Sequence, residues 1–528
     1  MTFPPARRLA PSAGVVLAVA APIFVAAVLP RVASPPPAAA APPAAAADDC
    51  PMFGGAIARN MANTVEKDMP DTWSVKKGQE KGVKKSAVLG GTAYGGPVVA
   101  GGRIFVGTNN DQPRDPAVTG DKGVLMCFSA ADLSFQWQIA HDKLANSALD
   151  AGDTGIASTP CVDGDRLYYV SNRCELVCAD VAGDPAQKGK GKIVWSLDMM
   201  KEPLKVYPGG IEGGLANCSP LVLDDLVYIV TSNGVDGNTE KPQNPNAPSF
   251  LAVNKADGKP VWSSNLPGPN IMDGQWGNPA AAEVDGVKEV IFPGGDGWLY
   301  GFEAKKGDLL WKFDCNPKKS EFKPKAGIGT RNYLVATPVF VDGKVYIGVG
   351  REPDAGPGVG HLWCIDITKK PDPKTKDLSP VNDDFNPKSP VNKDSGLVWH
   401  FGGMYSPGNP KPAGADRDYS FGRTVSTVAV HDGLVYAAEL DGFLHCLDAA
   451  TGQELWVHDL GGGVWSSPYY VDGKVYMGVD NGDLFVFAAG KEDKVLNKIE
   501  MQQSMKVPPV AANGVLYVNN GLNLFAIK

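Results

Sequence analysis

The stretch Thr427–Leu460 reads TVAVHDGLVYAAELDGFLHCLDAATGQELWVHDL and alternates short apolar segments with turns. An Asp-Gly pair lies at each of the first two turns, at 432–433 and 441–442, and such pairs tolerate the positive φ angles of tight hairpins. A Thr-Gly pair follows at 451–452, and Trp456 comes soon after it. Alternating apolar and polar residues between such turns are typical of strands. The stretch therefore predicts one four-stranded antiparallel sheet.

The same pattern recurs from Tyr94 to the end of the chain. Its copies begin near Pro97, Thr159, Ser219, Asn278, Thr337, Thr427, Ser466 and Pro508. One such sheet cannot bury both of its faces, whereas sheets stacked around an axis cover one another and leave only short edges. We therefore predict an all-β fold, an eight-bladed β-propeller of four-stranded antiparallel blades.

A tryptophan follows the third turn in most copies. These residues are Trp137, Trp195, Trp262, Trp311, Trp399 and Trp456. A large flat ring at a fixed repeat position can wedge against the neighbouring blade, so we interpret these residues as blade-docking rather than cofactor-stacking. In the seventh copy, Leu496 is expected to replace the tryptophan.

The eighth copy ends at Lys528 after three strands. Its missing outer strand is predicted to come from the N-terminal stretch Asp71–Val75, in which Trp73 matches the docking position. Closing the ring with strands from both termini removes an open edge. We therefore expect residues 48–93 to supply the closing strand and residues 94–528 to form the propeller, as a monomer.

Residues 1–47 are interpreted as a signal peptide followed by a Pro/Ala-rich spacer. Arg7 and Arg8 precede the apolar stretch Gly14–Leu29, and this order is typical of an export signal. An uncleaved membrane anchor is the competing interpretation, and it would associate the protein with a membrane. Either way the protein is expected to be exported, to the periplasm or the cell envelope.

Charge argues against nucleic acid as a partner. The formal net charge is −8, and the most basic run is Lys76–Lys85, KKGQEKGVKK. A run of this length is typical of a solvated loop, and it is too short to form a stripe that binds phosphates.

The segment Leu447–Trp456, LDAATGQELW, is similar to the tryptophan-docking repeat of pyrroloquinoline-quinone (PQQ) dependent dehydrogenases. The resemblance extends roughly over Asp71–Lys528. The same repeat occurs in PQQ-like propellers without a quinone, such as the BamB-type scaffold of outer-membrane assembly and a group of exported envelope proteins. The resemblance therefore implies the fold but leaves the function open.

An active PQQ alcohol dehydrogenase implies further parts. These are a disulfide between adjacent cysteines, a calcium ion held by Glu, Asn and Asp oxygens, and a catalytic Asp. The sequence has no Cys-Cys pair and no recognisable motif for the other parts. Glu212, Asn217 and Asn278 are the weak metal candidates, because their segments should face the axis. No cofactor is expected, and PQQ with calcium is the alternative.

The nine cysteines and six histidines do not form a catalytic pattern. One group of cysteines shares the position in the third strand that holds a small residue in other copies, where a thiol acts as a small hydrophobe. These are Cys127, Cys178, Cys364 and Cys446, matching Ala252, Gly301 and Val486. The pairing of Cys50, Cys161, Cys218 and Cys315 stays open. No catalytic residue is assigned.

The remaining binding candidates lie in segments before the first strands, which should meet at one end of the axis. They are Arg331, Asp416, Arg417, Arg423 and Trp465. Aromatic rings and forked Arg donors could bind a glycan, a peptide or an anionic molecule, whereas salt bridges between blades are the alternative. The sequence thus favours a non-catalytic scaffold that binds a protein, an envelope polymer or a small ligand. A PQQ-dependent alcohol dehydrogenase-like oxidoreductase with an atypical site is the second hypothesis.

Overall fold

The computed structural model describes residues 49–323, 329–351, 356–380, 395–406, 410–411 and 416–528. The predicted signal peptide and spacer, 1–47, lie outside this range. The described chain folds into an eight-bladed β-propeller of four-stranded antiparallel sheets, as the repeat predicts. Within the described residues no helix is long and apolar enough to cross a membrane.

Blades 1 to 4 each take their four strands in chain order, starting at the axis. Their strands are Val98–Ala100, Arg103–Asn109, Lys122–Ser129 and Phe135–Asp142 in blade 1; Cys161–Asp163, Arg166–Val170, Glu175–Asp180 and Lys192–Asp198 in blade 2; Leu221–Leu223, Leu226–Val230, Phe250–Asn254 and Pro260–Ser264 in blade 3; and Ala280–Val284, Val287–Pro293, Trp298–Glu303 and Leu309–Asp314 in blade 4.

Blades 5 to 7 follow the same order, and blade 8 takes its outer strand from the N-terminal part of the chain. Their strands are Val339–Val341, Lys344–Val349, His361–Asp366 and Leu397–Gly402 in blade 5; Ala429–His431, Leu434–Ala438, Phe443–Asp448 and Glu454–Asp459 in blade 6; Tyr469–Val471, Lys474–Gly478, Asp483–Ala488 and Val495–Glu500 in blade 7; and Val510–Ala512, Val515–Asn519, Asn523–Ile527 and Val83–Val88 in blade 8.

Four short strands and one 3₁₀-helix complete the described structure. Ala62–Asn63 adds to blade 7 in parallel, Gly189–Lys190 adds to blade 1, and Val235–Asp236 pairs with Lys241–Pro242 in a small hairpin. A single turn of 3₁₀-helix spans Gly268–Asn270.

Each docking tryptophan lies opposite the small residue of the third strand. Trp137 pairs with Cys127, Trp262 with Ala252, and Trp456 with Cys446. A bulge interrupts the outer strand beside this position in all eight blades. A β-bulge bends a strand and increases its twist, which turns the indole towards the next blade. The small side chain opposite leaves room for the ring.

The tryptophan side chains reach the third turn of the following blade, which confirms their predicted docking role. Trp195 in blade 2 donates from Nε1 to the carbonyl of Lys255 in blade 3 at 3.2 Å, and its ring covers Gly258. A Cβ on Gly258 would lie 2.6 Å from this ring, and its φ of +71° also favours glycine. Equivalent bonds join Trp137 to Val181, Trp262 to Ala304, Trp399 to Ala449, and Trp456 to Gly490.

Trp311 departs from this pattern, since its Nε1 donates to Glu289 Oε2 in its own blade at 2.7 Å. The third connection of blade 5 is a long insertion instead of a tight turn. Part of that insertion pairs with the outer strand of blade 4, where the Lys312 N–H donates to the Lys376 carbonyl. Trp311 still belongs to the same buried hydrophobic cluster as Val345 and Ile347 of blade 5.

The structure corrects the prediction for ring closure. The outer strand of blade 8 is Val83–Val88, antiparallel to Asn523–Ile527, and not Asp71–Val75. Trp73 instead packs on Tyr476 of blade 7, with ring centroids 6.4 Å apart. Asn497, not Leu496, occupies the docking register in blade 7. Trp73 therefore supplies from outside the repeat the indole that blade 7 lacks.

All nine cysteines are buried and free, including Cys50, Cys161, Cys218 and Cys315, whose pairing the sequence leaves open. Burial raises the pKa of the Cys218 thiol to about 12, which keeps it protonated at neutral pH. Cys127, Cys178, Cys364 and Cys446 share one position of the third strand, as predicted, and the structure places each of them opposite a docking tryptophan.

Candidate functional site at the propeller axis

A chain of polar contacts joins neighbouring blades where their first strands begin. The Gly96 N–H donates to Thr159 Oγ1 at 2.8 Å, and the Thr159 N–H donates to Ser219 Oγ at 3.0 Å. The Ser219 N–H donates to Asn278 Oδ1 at 2.6 Å, and Asn278 Nδ2 donates to Thr337 Oγ1 at 2.9 Å. The contacts continue from the Thr337 N–H to Thr427 Oγ1 and from the Thr427 N–H to Ser467 Oγ. The Ser/Thr residues at the repeat starts therefore hold seven blades in register.

One end of the axis is closed by residues 49–66, which we call the strap. The strap makes hydrogen bonds to every blade, at the first strand or directly beside it. These bonds join Cys50 to Val99, Pro51 to Val162, Arg59 to Ser219 and Pro220, Ile57 to Ala281, Ala58 to Phe340, Met61 to Val428 and Tyr470, and Asn63 to Ala511. Because one segment contacts all eight blades, it fastens the ring as well as covering its end.

Arg59 lies at the centre of the strap and is fully buried. Its guanidinium donates to the carbonyls of Phe53, Ser219, Pro220 and Pro279 at 2.8 to 3.1 Å. Burial lowers its pKa to about 10, so the group remains charged at neutral pH. The four carbonyl dipoles take the place of the lost water, as a buried charge requires.

The opposite end of the axis holds a cavity of about 310 Å³, which we call the axial cavity. All eight blades contribute to its lining through the segments that precede their first strands, and Phe53 of the strap contributes as well. This volume is at the lower end of the range of about 300–1,000 Å³ usual for ligand pockets. The cavity is therefore large enough for a small ligand or for part of a chain.

One wall of the axial cavity combines aromatic rings with a cation. Tyr94 and Trp465 are half-buried, with ring centroids 5.9 Å apart. Lys506 Nζ lies 4.4 Å from the Tyr94 ring centroid and 4.8 Å from that of Trp465, and it donates to Tyr94 Oη at 3.0 Å. An ammonium over aromatic faces keeps its remaining donors available to an anionic or carbonyl group.

The opposite wall contains Glu212, Asn217 and Trp276. Trp276 is fixed by a bond from Nε1 to the Leu215 carbonyl at 3.1 Å, while its ring is part of the lining. Asn217 Oδ1 is buried and accepts no hydrogen bond from the described residues. Glu212 is exposed at this wall. The wall thus offers a ring face, an unused amide oxygen and a carboxylate.

Asp273 lies one layer behind Trp276. It is 2% exposed, and it accepts from the Ile211 N–H at 2.7 Å, the Gly274 N–H at 2.9 Å and Tyr333 Oη at 3.1 Å. Burial raises the pKa of its carboxyl to about 6, against the opposing effect of the two backbone donors. Asp273 is not among the residues that line the cavity. Its hydrogen bonds support the wall from behind.

The predicted arginines pair with neighbouring loops. Arg331 Nη2 lies 3.0 Å from Asp314 Oδ1, and Arg417 forms an ion pair with the buried Glu439. Arg423 is fully buried, and its Nε donates to Asn332 Oδ1 at 3.2 Å. These three side chains and the exposed Asp416 are not among the residues that line the axial cavity, so Trp465 alone of that group lies there.

The three metal candidates all line the axial cavity, but their side chains have different surroundings. Asn278 uses its oxygen and its amide nitrogen in the contacts between blades. Among the described residues no cluster of three His, Cys, Asp or Glu side chains could hold a metal ion. Glu212 is the one carboxylate and Lys506 the one cation among the lining residues. Of the Glu, Asn and Asp oxygens that the resemblance implies for calcium, the lining thus holds a Glu and an Asn oxygen without a partner among the described residues, and its residues include no Asp.

Comparison with known proteins shows which families share this fold. The family model described as outer membrane protein assembly factor BamB matches residues 121–371 and 390–495. BamB of Yersinia pestis is 22% identical over 359 residues, which are 64% of this chain and 79% of that protein. The 1-butanol dehydrogenase (quinone) of Thauera butanivorans is 25% identical over 198 residues, which are 36% of this chain and 30% of that protein. The chain thus spans less than a third of that dehydrogenase.

Solved structures agree with this placement. The structure of BamB from Moraxella catarrhalis superposes with a TM-score of 0.51 and 11% identity, covering 84% of this chain and 97% of that one. A europium-containing methanol dehydrogenase superposes with a TM-score of 0.56 and 13% identity, covering 90% of each chain. Identities this low show the shared fold alone.

Proposed function

We propose that this chain, which belongs to the family described as outer membrane protein assembly factor BamB, is a non-catalytic, exported scaffold of the cell envelope. Its partner is a protein or envelope polymer, one segment of which enters the axial cavity. The N-terminal residues interpreted as an export signal support the proposed location.

The observation that carries this proposal is the contrast between loop arginines that are held by other loops and a cavity-lining cation, Lys506, that forms no ion pair among the described residues. Arg331, Arg417 and Arg423 are used in contacts between loops. Tyr94, Trp465 and Lys506 instead present rings and an ammonium at the lining. Aromatic and cationic side chains on a rigid ring are typical of binding surfaces, because little side-chain freedom is lost when a partner binds.

A partner segment would find complementary groups on both sides of the cavity. Trp276 and Trp465 offer ring faces to an apolar or planar group, and Lys506 offers donors to a carbonyl or carboxylate. Asn217 Oδ1 would accept from a backbone N–H of the entering segment. An extended peptide supplies all of these groups, so we favour a protein partner over a polysaccharide.

Affinity capture from the native envelope tests this function. We expect the full-length protein to retain a partner that Trp465→Ala loses. Trp298→Ala is the matched control, because Trp298 is a half-buried tryptophan outside the cavity lining. Equal capture by all three proteins would contradict binding at the axial cavity.

The second candidate is a PQQ-dependent alcohol dehydrogenase-like oxidoreductase with an atypical site. The similarity to the butanol dehydrogenase favours it, as do the two tryptophans in an axial cavity. Adding PQQ and calcium to the purified protein separates the candidates. The scaffold predicts neither retained quinone absorbance nor dye-linked alcohol oxidation, whereas retained cofactor with turnover would establish the enzyme.

A further inference from the structure

The axial cavity is closed at its inner end. The strap covers the far end of the axis, and Phe53 of the strap forms part of the cavity lining. Phe53 also lines a second cavity of about 220 Å³ beneath the strap, so this residue lies between the two spaces. A partner chain that enters the axial cavity along the axis therefore meets the strap, and it has to end there or turn back.

A chain end suits this space better than a hairpin does. A hairpin would place two strands about 4.8 Å apart in the cavity, whereas a chain end places only one. The cavity volume of about 310 Å³ is at the lower end of the range for ligand pockets. The closed inner end and the small volume together favour a terminal segment.

The charges on the lining favour a carboxyl terminus over an amino terminus. Glu212, the one lining carboxylate, is exposed, and an ion pair in contact with water contributes little. Lys506, the one lining cation, is half-buried and forms no ion pair among the described residues. Charges attract more strongly where water is excluded. A carboxylate beside Lys506 would therefore gain more than an ammonium beside Glu212.

Lys506 and Tyr94 present two hydrogen-bond donors side by side. The ammonium donates to Tyr94 Oη at 3.0 Å, so the hydroxyl oxygen is an acceptor in this contact and its own O–H remains to donate. That hydroxyl has no acceptor among the described residues. Because a carboxylate accepts at two oxygens, the ammonium and the hydroxyl can bind it together through charge-assisted hydrogen bonds.

The lining also offers an apolar surface to the last side chain of an entering segment. Val335 of blade 5 and Val425 of blade 6 line the cavity between Trp276 of blade 4 and Trp465 of blade 7. All four side chains are half-buried, so each still has surface to bury. Burial of apolar surface is favourable, and an apolar last side chain would gain most from these neighbours.

We propose that the axial cavity binds the carboxyl terminus of a partner protein whose last side chain is apolar. The α-carboxylate accepts from the Lys506 ammonium and from the Tyr94 hydroxyl, while the last side chain packs on Trp276 and the two valines. This inference rests on the proposed function, because it specifies which part of the partner enters the cavity.

Short peptides test the proposal on the full-length protein. The probe is acetyl-Gly-Ala-Phe with a free carboxylate and with 4-fluorophenylalanine as its last residue, followed by fluorine NMR. We expect saturable binding, which the carboxyl amide of the same peptide should weaken by at least about tenfold. Unlabelled acetyl-Gly-Ala-Ser should displace the probe at least about tenfold less well than unlabelled acetyl-Gly-Ala-Phe. No saturable binding, or equal binding of the acid and the amide, would overturn the proposal.

Two further probes separate a chain end from other carboxylates. The acid 3-(4-fluorophenyl)propionate keeps the carboxylate and the ring but has no peptide group. The peptide acetyl-Gly-Glu-(4-fluoro)Phe-amide carries its carboxylate on a side chain. Both should bind at least about tenfold more weakly than the free-acid peptide. Equal binding of the propionate would assign the cavity to a small acid, and equal binding of the amide peptide would assign it to an acidic loop, so either result would overturn the proposal.

Variants of the two donors locate the binding. Lys506→Met should weaken the free-acid peptide by at least about tenfold and leave the amide unchanged, because both changes remove the same ion pair. Tyr94→Phe keeps the ring and should weaken the free acid by at least about threefold. Lys498→Met is the matched control, because Lys498 Nζ also lies over a ring, 5.1 Å from the Phe485 centroid, but outside the cavity lining. Equal binding by Lys506→Met and the unmodified protein would refute the site.

Capture from the native envelope separates this inference from the proposed function. If the peptides do not bind while Trp465→Ala still loses the envelope partner, the carboxyl-terminal inference is wrong and the binding function stands. Equal capture by Trp465→Ala and the unmodified protein would contradict the proposed function itself.

Discussion

At the strap end of the propeller axis, Arg59 is fully buried and donates to four backbone carbonyls, whereas at the cavity end Lys506 is half-buried against two aromatic rings. Both are single cations close to the axis of the same ring. The acceptors of Arg59 lie in the strap, at Phe53, and beside the first strands of blades 3 and 4, and its removal would leave these buried carbonyls without their donors. The ammonium of Lys506 keeps N–H donors that the described lining residues do not need as hydrogen-bond partners. The same fold thus uses a cation for stability at one end and leaves one for binding at the other.

The largest expected effect is at the strap end. Arg59→Met should lower the free energy of unfolding by on the order of 3–5 kcal/mol, because buried carbonyls lose charged donors. Guanidinium unfolding followed by tryptophan fluorescence measures this change. Arg103→Met is the control, since Arg103 makes one long bond, to the Gly101 carbonyl at 3.5 Å, and should change stability little. Similar losses of unfolding free energy in Arg59→Met and Arg103→Met would contradict the stabilising role of Arg59 in the strap.

A smaller, pH-dependent effect is expected behind the cavity wall. The folded pKa of Asp273 is raised by burial to about 6, above its ordinary value of 3.8. The folded protein therefore binds the proton more tightly than the unfolded chain, and the stability from this proton is lost as the pH rises through about 6. Asp273→Asn cannot lose that proton. Its stability relative to the unmodified protein should rise by about 2 kcal/mol between about pH 4.5 and 7.5.

Thermal or guanidinium unfolding at the two pH values measures this difference. Asp308→Asn is the control, because it makes the same chemical change at an exposed carboxylate away from the cavity wall. A constant difference for Asp273→Asn would show that the carboxyl behind Trp276 titrates as it does in the unfolded chain.

The smallest effect on stability is expected at the cavity lining. Lys506→Met keeps the hydrocarbon part of the side chain against Tyr94 and Trp465 and removes the ammonium. Unfolding should change by less than about 1 kcal/mol, because half-exposed charges contribute little. Capture of the envelope partner should nevertheless fall. A large loss of stability would make Lys506 a structural cation like Arg59 and would erase the contrast between the two ends.

Much of the fold could be predicted from local sequence, and the outcome at particular residues shows why. The repeat positions of Trp456 and Cys446 were predicted from turn spacing, and the structure adds that the two residues lie opposite each other. Ring closure was predicted at the wrong segment, because Trp73 marked Asp71–Val75 as the closing strand, whereas Val83–Lys85 belongs to a basic run that is typical of a solvated loop. Trp73 has the docking role that its type predicts, but at blade 7, and pairing between distant strands decided which blade receives it.

The candidate site was less predictable than the fold. Trp465 was identified because it precedes a first strand, and Trp276 occupies an equivalent segment that the same reasoning could have found. Lys506 and Tyr94 carry no motif. Arg331, Arg417 and Arg423 look available in sequence, yet each meets a loop partner that is distant or unpatterned in the chain. Whether an arginine is free to bind depends on those partners.

The sequence by itself determined the repeat, the strand order within each blade, the docking tryptophans and the small residues of the third strands. These features rest on turn chemistry and on side-chain alternation, which act over a few residues. Only the tertiary structure decided the strap and the axial cavity. Each of these brings together residues hundreds of positions apart, such as Asn63 and Ala511 or Tyr94 and Lys506, and no repeat period links such pairs in the chain.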